Sequence, residues 1–159
     1  QPDGSYTKFS IFENPLAVIN ENNISMKTNR VLANLYAEYE FFPGLSLRST
    51  YSQDYSSIRE DVYINTKLNS GAAVNGSAVS AVTTSESWIQ ENVLNFQKRF
   101  GSGHNLGVLL GTTLQESVVE KTRASGTGFP SDDFTRIASA AVQQSSSIGS
   151  SWGIASLFT

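Results

Sequence analysis

The feature that most constrains this chain is a pair of long runs meeting at Pro43-Gly44, in "YAEYEFFPGLSLRSTY". After the turn, Leu45, Leu47, Tyr51 and Tyr55 alternate with Ser46, Arg48, Thr50, Ser52 and Asp54, a period of two with few helix formers. Before it, two patterns coexist. Val31, Leu32, Leu35, Tyr36, Tyr39 and Phe42 suit a helix, while Val31, Ala33, Leu35, Ala37, Tyr39 and Phe41 form an unbroken strand face opposite Asn34, Glu38 and Glu40. Periodicity alone leaves that run open. The strand after the turn tips it, because a tight Pro-Gly turn between two extended runs reads as a hairpin.

Further runs repeat the arrangement. Trp88, Leu94, Phe96 and Phe100 share a face with Gln90, Asn92 and Lys98, and the glycine-rich turn 101–104 follows. Next, Leu106, Val108, Leu110, Thr112 and Leu114 alternate with Asn105, Gly107, Gly111 and Thr113; Trp152, Ile154 and Phe158 close the chain on one face. Strands are expected near residues 26–42, 45–66, 78–100, 105–123 and 150–159, with "YTKFSIF" near the start as a possible sixth. Residues 1–24 otherwise read as loop, as do the polar stretches between the second and third and between the fourth and fifth strands. Connections thus alternate short, long, short, long, the rhythm of an outer-membrane barrel with tight periplasmic turns and extended outer loops.

Composition agrees with β structure: charge is low at 16% and aromatics reach 11% of 159 residues. A net charge of −3 offers no basic footprint, so nucleic acid is not an expected partner. Cysteine is absent, which removes disulfides and thiolate metal sites. No apolar run approaches the roughly 20 residues of a membrane-spanning helix, but a transmembrane strand needs only about 9–11, with every second one apolar.

The ordered set "NRVLANLYAEYEFFPGLSLRSTYSQDY", "SESWIQENVLNFQKRFGSGHNLGVLLGTTLQES", "ASGTGFPSDDFTRIASA" and "SWGIASLFT" resembles the barrel of SusC/RagA-type TonB-dependent outer-membrane transporters. The resemblance runs through nearly all of residues 15–159. It implies an all-β, antiparallel up-and-down meander of five to six long strands, a fragment of a 22-stranded transmembrane β-barrel in the bacterial outer membrane. Residues 1–159 would then be a partial barrel without its plug domain. In an intact relative, a plug fills the barrel, TonB supplies energy, a SusD-like surface lipoprotein lids it, and oligosaccharide or peptide is the cargo. The expected function is a barrel-wall segment of such an importer, in contact with membrane lipid and not an enzyme.

Candidate residues follow from the alternation. With Val31–Phe41 facing lipid, Asn34, Tyr36, Glu38 and Glu40 line the lumen beside Arg48, Thr50 and Asp54. Phe41, Phe42, Tyr51, Tyr55, Phe96 and Phe100 are candidates for the aromatic girdles at the membrane interfaces. Tyr63 and Trp88 have the rings to stack on a sugar, but girdle or loop packing is the better account of both. His104, the single histidine, reads as a turn residue, and adjacent Asp132 and Asp133 read as loop capping or solvation. No cofactor or metal site and no nucleophile with its base can be assembled. The rival architecture is a soluble β-sandwich carbohydrate-binding module with the leucines in its core, and a third is a complete small barrel. A barrel wall demands one continuous sheet with Leu35, Leu47, Leu94 and Leu110 on the same side.

Overall fold

The computed structural model describes residues 6, 7, 9, 12–101 and 103–159. Five strands dominate: β1 (Asn22–Phe42), β2 (Leu45–Ile64), β3 (Ser77–Phe100), β4 (His104–Thr127) and β5 (Val142–Phe158). They form one sheet in the order β1-β2-β3-β4-β5, each strand beside its sequence neighbour. This is an antiparallel meander, and there is no second sheet among the described residues to enclose the leucines as a sandwich would. Of "YTKFSIF", Tyr6, Thr7, Phe9 and Phe12 lie outside any strand, and the other residues lie outside those described.

Cross-strand contacts identify the two faces. Arg30 Nε and Nη2 donate to Asp54 at 2.9 and 2.6 Å, and Asn34 Nδ2 donates to Ser52 Oγ at 2.6 Å. Even-numbered residues of β1 and β2 therefore share one side. Gln53 Nε2 donates to Glu86 at 2.9 Å, Gln90 Nε2 to Ser49 at 2.9 Å, and Trp88 Nε1 to Glu116 at 3.0 Å. These contacts tie odd β2 residues to even ones on β3 and β4. Since successive side chains alternate, Leu35, Leu47, Leu94 and Leu110 all fall on the second side.

The Pro43-Gly44 hairpin shows why glycine is needed there. Gly44 has φ +94°, and a Cβ at that position would collide with the Gln97 carbonyl. Its own carbonyl accepts from Gln97 N at 2.7 Å, so β3 seals the turn of its neighbours. Gly44→Ala should therefore lower stability by about 1–3 kcal/mol, read as a reduced Tm of the purified protein.

Two local expectations need correction. The stretch read as loop before β1 contains helix α1 (Pro15–Glu21), because Asn14 caps it by accepting from Leu16 N at 3.0 Å and Pro15 occupies the first turn. The long polar segment after residue 123 is also more ordered than its composition suggests. β4 continues to Thr127, and β5 starts at Val142 instead of residue 150. A serine- and glutamine-rich run carries little strand signal of its own; the ladder offered by β4 decides its conformation.

The chain divides into two compact units. One comprises residues 1–28, 57–83 and 121–148, and the other 29–56, 84–120 and 149–159. The first contains α1, a short helix α2 (Asn69–Ala72) and the long connections. Tyr63, Ala78, Phe129 and Ala140 are buried together in it, with the Tyr63 and Phe129 rings edge-on at 5.2 Å. The second contains both short turns.

Candidate transport surface

In the second unit, the polar side of β1 and β2 is a connected row. Arg30 and Asp54 form a bidentate pair, Asn34 meets Ser52, and the Arg48 guanidinium lies 4.7 Å from the centre of the Tyr36 ring. Between them is a recess of about 280 Å³ lined by residues that include Leu32, Asn34, Ser52, Asp54, Ser87 and Ile89. Its paired donors and acceptors remain partly exposed to water.

The sequence-derived candidates fall as follows. Asn34, Tyr36, Arg48 and Asp54 come together in this row. Thr50 shares their side by alternation, and Glu38 is exposed. Glu40 turns back to its own hairpin, accepting from Gly44 N at 3.1 Å. Arg30 and Ser52 were missed, although a hairpin closing at Pro43-Gly44 sets a basic residue of one strand near an acid of the other.

On the opposite side, Val31, Leu35, Tyr39 and Phe41 are more than half exposed. Tyr39 and Phe41 contact edge to face at 5.0 Å, and Tyr51 stacks on Trp88 at 6.4 Å. Tyr55, Phe96 and Phe100 share this side by alternation. Phe42, the neighbour of Phe41, alternates to the polar side, so only one of these two rings fits a girdle on the apolar face. Polar groups interrupt that face beneath the Tyr51–Trp88 stack: Gln90 donates to Ser49 at 2.9 Å and Asn92 to Thr112 at 3.4 Å.

The first unit holds two carboxylate hubs. Asp132 accepts from Tyr63 Oη at 2.9 Å, Thr66 N at 3.0 Å and Thr66 Oγ1 at 2.5 Å, so it fastens the connection after β4 to the one after β2. Burial pushes the Asp132 carboxyl up, but the Thr66 hydroxyl and amide and the Tyr63 hydroxyl outweigh that and hold it below the usual range. Loop packing thus claims Tyr63, and Asp132 is a loop cap. Glu21 is the second hub, taking Lys67 Nζ at 3.0 Å, Asn65 Nδ2 at 2.8 Å and Tyr6 Oη at 3.0 Å. The Lys67 bond, followed by that of Asn65, holds its carboxyl low. Glu13 caps α2 by accepting from Asn69 N and Ser70 N. Loop geometry of this kind leaves no periodic trace in a sequence.

A single five-stranded antiparallel meander of long strands has the fold of part of a β-barrel wall. The solved structures agree. Against a chain of the RagAB peptide transporter the TM-score is 0.82 at 14% identity, covering 96% of this chain and 18% of the other. Against the "closed-closed" RagAB peptide importer it is 0.75 at 17% identity, covering 86% of this chain and 16% of the other. In sequence, the chain is 31% identical over 134 residues to TonB-dependent receptor P3 of Formosa agariphila, spanning 82% of this chain and 13% of that protein. No protein-family model matches. The chain resembles part of the β-barrel of SusC/RagA-type TonB-dependent transporters. Its relatives are transporters and receptors, not enzymes.

Proposed function

We propose that this chain forms part of the barrel wall of a TonB-dependent importer in the bacterial outer membrane. The observation that carries the proposal is the single sheet in which Leu35, Leu47, Leu94 and Leu110 share one side, opposite the Arg30–Asp54 and Asn34–Ser52 pairs. The polar face lines the lumen, and the leucine face meets lipid. At about 3.3 Å per residue and about 40° of tilt, the 24 residues of β4 climb roughly 60 Å, more than twice the ~25 Å apolar band. The strands consequently project beyond the outer leaflet, where the long connections form an extracellular rim.

Under this reading the intact protein includes a plug, contacts TonB and works with a SusD-like surface lipoprotein, and its cargo is an oligosaccharide or peptide. The Tyr51–Trp88 stack and the Phe96–Phe100 pair form the two aromatic girdles.

Cysteine labelling tests the topology, because the chain has no thiol of its own. In intact cells, Thr135→Cys should react with a membrane-impermeant maleimide. Gly103→Cys should react only once the outer membrane is opened. Glu38→Cys should take up aqueous reagent in the assembled protein, and Leu35→Cys should resist it. Equal aqueous labelling of Glu38→Cys and Leu35→Cys would refute the barrel-wall reading.

A further inference from the structure

Among the described residues, five of the chain's eleven lysines and arginines are engaged by a carboxylate or a ring. Arg30 pairs with Asp54, Arg59 with Asp61 and Lys67 with Glu21, while Arg48 covers Tyr36 and Lys98 covers Phe100. Arg123 is not among these five, and it lines a recess. Among the described residues, no carboxylate lies within 4.0 Å of it, and its sequence neighbour Glu120 alternates to the opposite side of β4. It is exposed although β4 is an interior strand flanked by β3 and β5, so its exposure does not come from standing at a sheet edge.

Its surroundings have one chemistry. A recess of about 350 Å³ is lined by Arg123, Ser125, Gln144, Ser145 and Ser146. Among the described residues, the side chains of Arg123, Ser125, Gln144 and Ser146 have no hydrogen-bond partners. On the other side of the same strands, by contrast, Thr122 and Ser147 meet at 3.4 Å. Lys121 is on Arg123's side, two residues along, and adds a second positive charge.

We infer that this recess is a binding site for the anionic oxygen group of an acidic oligosaccharide, a uronate carboxylate or a sulfate ester. The inference rests on the barrel-wall reading, which puts Arg123 on the lumen side at the outer mouth. A guanidinium offers a planar fork of donors that matches two oxygens of such a group. The serine hydroxyls and the glutamine amide supply neutral donors and acceptors suited to sugar hydroxyls. The lining contains no large apolar side chain, so the recess has nowhere to bury the apolar side chains of a peptide.

The test is calorimetric titration of the whole protein purified from membranes, with four probes: an oligogalacturonate, a sulfated oligosaccharide, a neutral gluco-oligosaccharide and an oligoglutamate peptide. At least one acidic saccharide should bind, and the uronate and sulfate arms identify which group is preferred. Arg123→Gln should weaken that binding about tenfold, Arg123→Lys should weaken it less, and added salt should mimic the loss. Saccharide binding that Arg123→Gln leaves unchanged would overturn the site, as would a lack of binding by either acidic saccharide. Tighter binding of the neutral sugar, or of the peptide, would overturn the ligand class. The cysteine labelling above, repeated on the same protein, separates the two failures. If the labelling pattern holds and binding fails, only this inference falls.

Discussion

Leu110→Arg should abolish assembly of the protein in the outer membrane, whereas Leu109→Arg, one residue earlier, should be tolerated. The two leucines are similarly exposed, at 41% and 44%, so burial does not separate them. Alternation does. Leu110 shares a side with Leu94, which the barrel-wall proposal sets against hydrocarbon, and Leu109 points to the opposite side. At about 3.3 Å per residue and about 40° of tilt, Leu110 lies roughly 15 Å up β4 from the turn at 101–104, near the middle of the apolar band. An arginine facing lipid at that depth costs about 2–4 kcal/mol, while one facing the lumen remains in water. The measurement is the amount of each variant in isolated outer membranes, together with its resistance to denaturant. Similar loss from both variants would show that the sheet has no lipid side.

Asp132→Ala should loosen the connection 128–141 from the connection 65–76 at Thr66, while the backbone bonds of Gly128 and Phe129 to Val74 and Asn75 remain. Three donors from Tyr63 and Thr66 converge on this carboxylate, and stranding them costs about 3 kcal/mol of local opening free energy. Hydrogen exchange at the Thr66 amide reads the change directly, while amides in the centre of β3 should keep their protection. The same bond predicts a pH dependence. The carboxyl is held below its ordinary value of 3.8 in the folded state. Its contribution is therefore complete above that pH and is lost as pH falls through the lower, folded-state value. Thr66 protection should accordingly be flat near neutrality and collapse only in strong acid. Collapse between pH 5 and 7 would contradict this assignment.

What could be read from the residues was whatever repeats. The alternation in Leu45–Tyr55 and Leu106–Leu114, the Pro43-Gly44 turn and the glycine turn at 101–104 together imply a meander and name its two faces. Each of these is a short-range pattern with a geometric cause. α1 escaped because it is only seven residues long, too short for a helical period, and depends on the Asn14 cap. The early start of β5 escaped because Gln143–Ser147 has no apolar alternation, and β4 supplies the order.

The candidate site divides along the same line. Asn34, Tyr36, Arg48 and Asp54 were visible through strand parity, and so was the side on which each lies. That Glu40 would bend to Gly44 N, or that Arg30 would choose Asp54, depended on rotamers and register. The junction of Asp132 with Thr66 and Tyr63 joins residues more than sixty positions apart, and no local pattern encodes it.

That junction also bears on how such a protein can be re-engineered. Residues 65–76 and 128–141 share one carboxylate, and Gly128 N and Phe129 N donate backbone bonds to Val74 and Asn75 at 2.9 and 2.7 Å. The two segments are thus a single structural unit written in two places. A graft of these connections between homologues has to move both together. Transplanting either alone would leave Asp132 without its donors, or Thr66 without its acceptor.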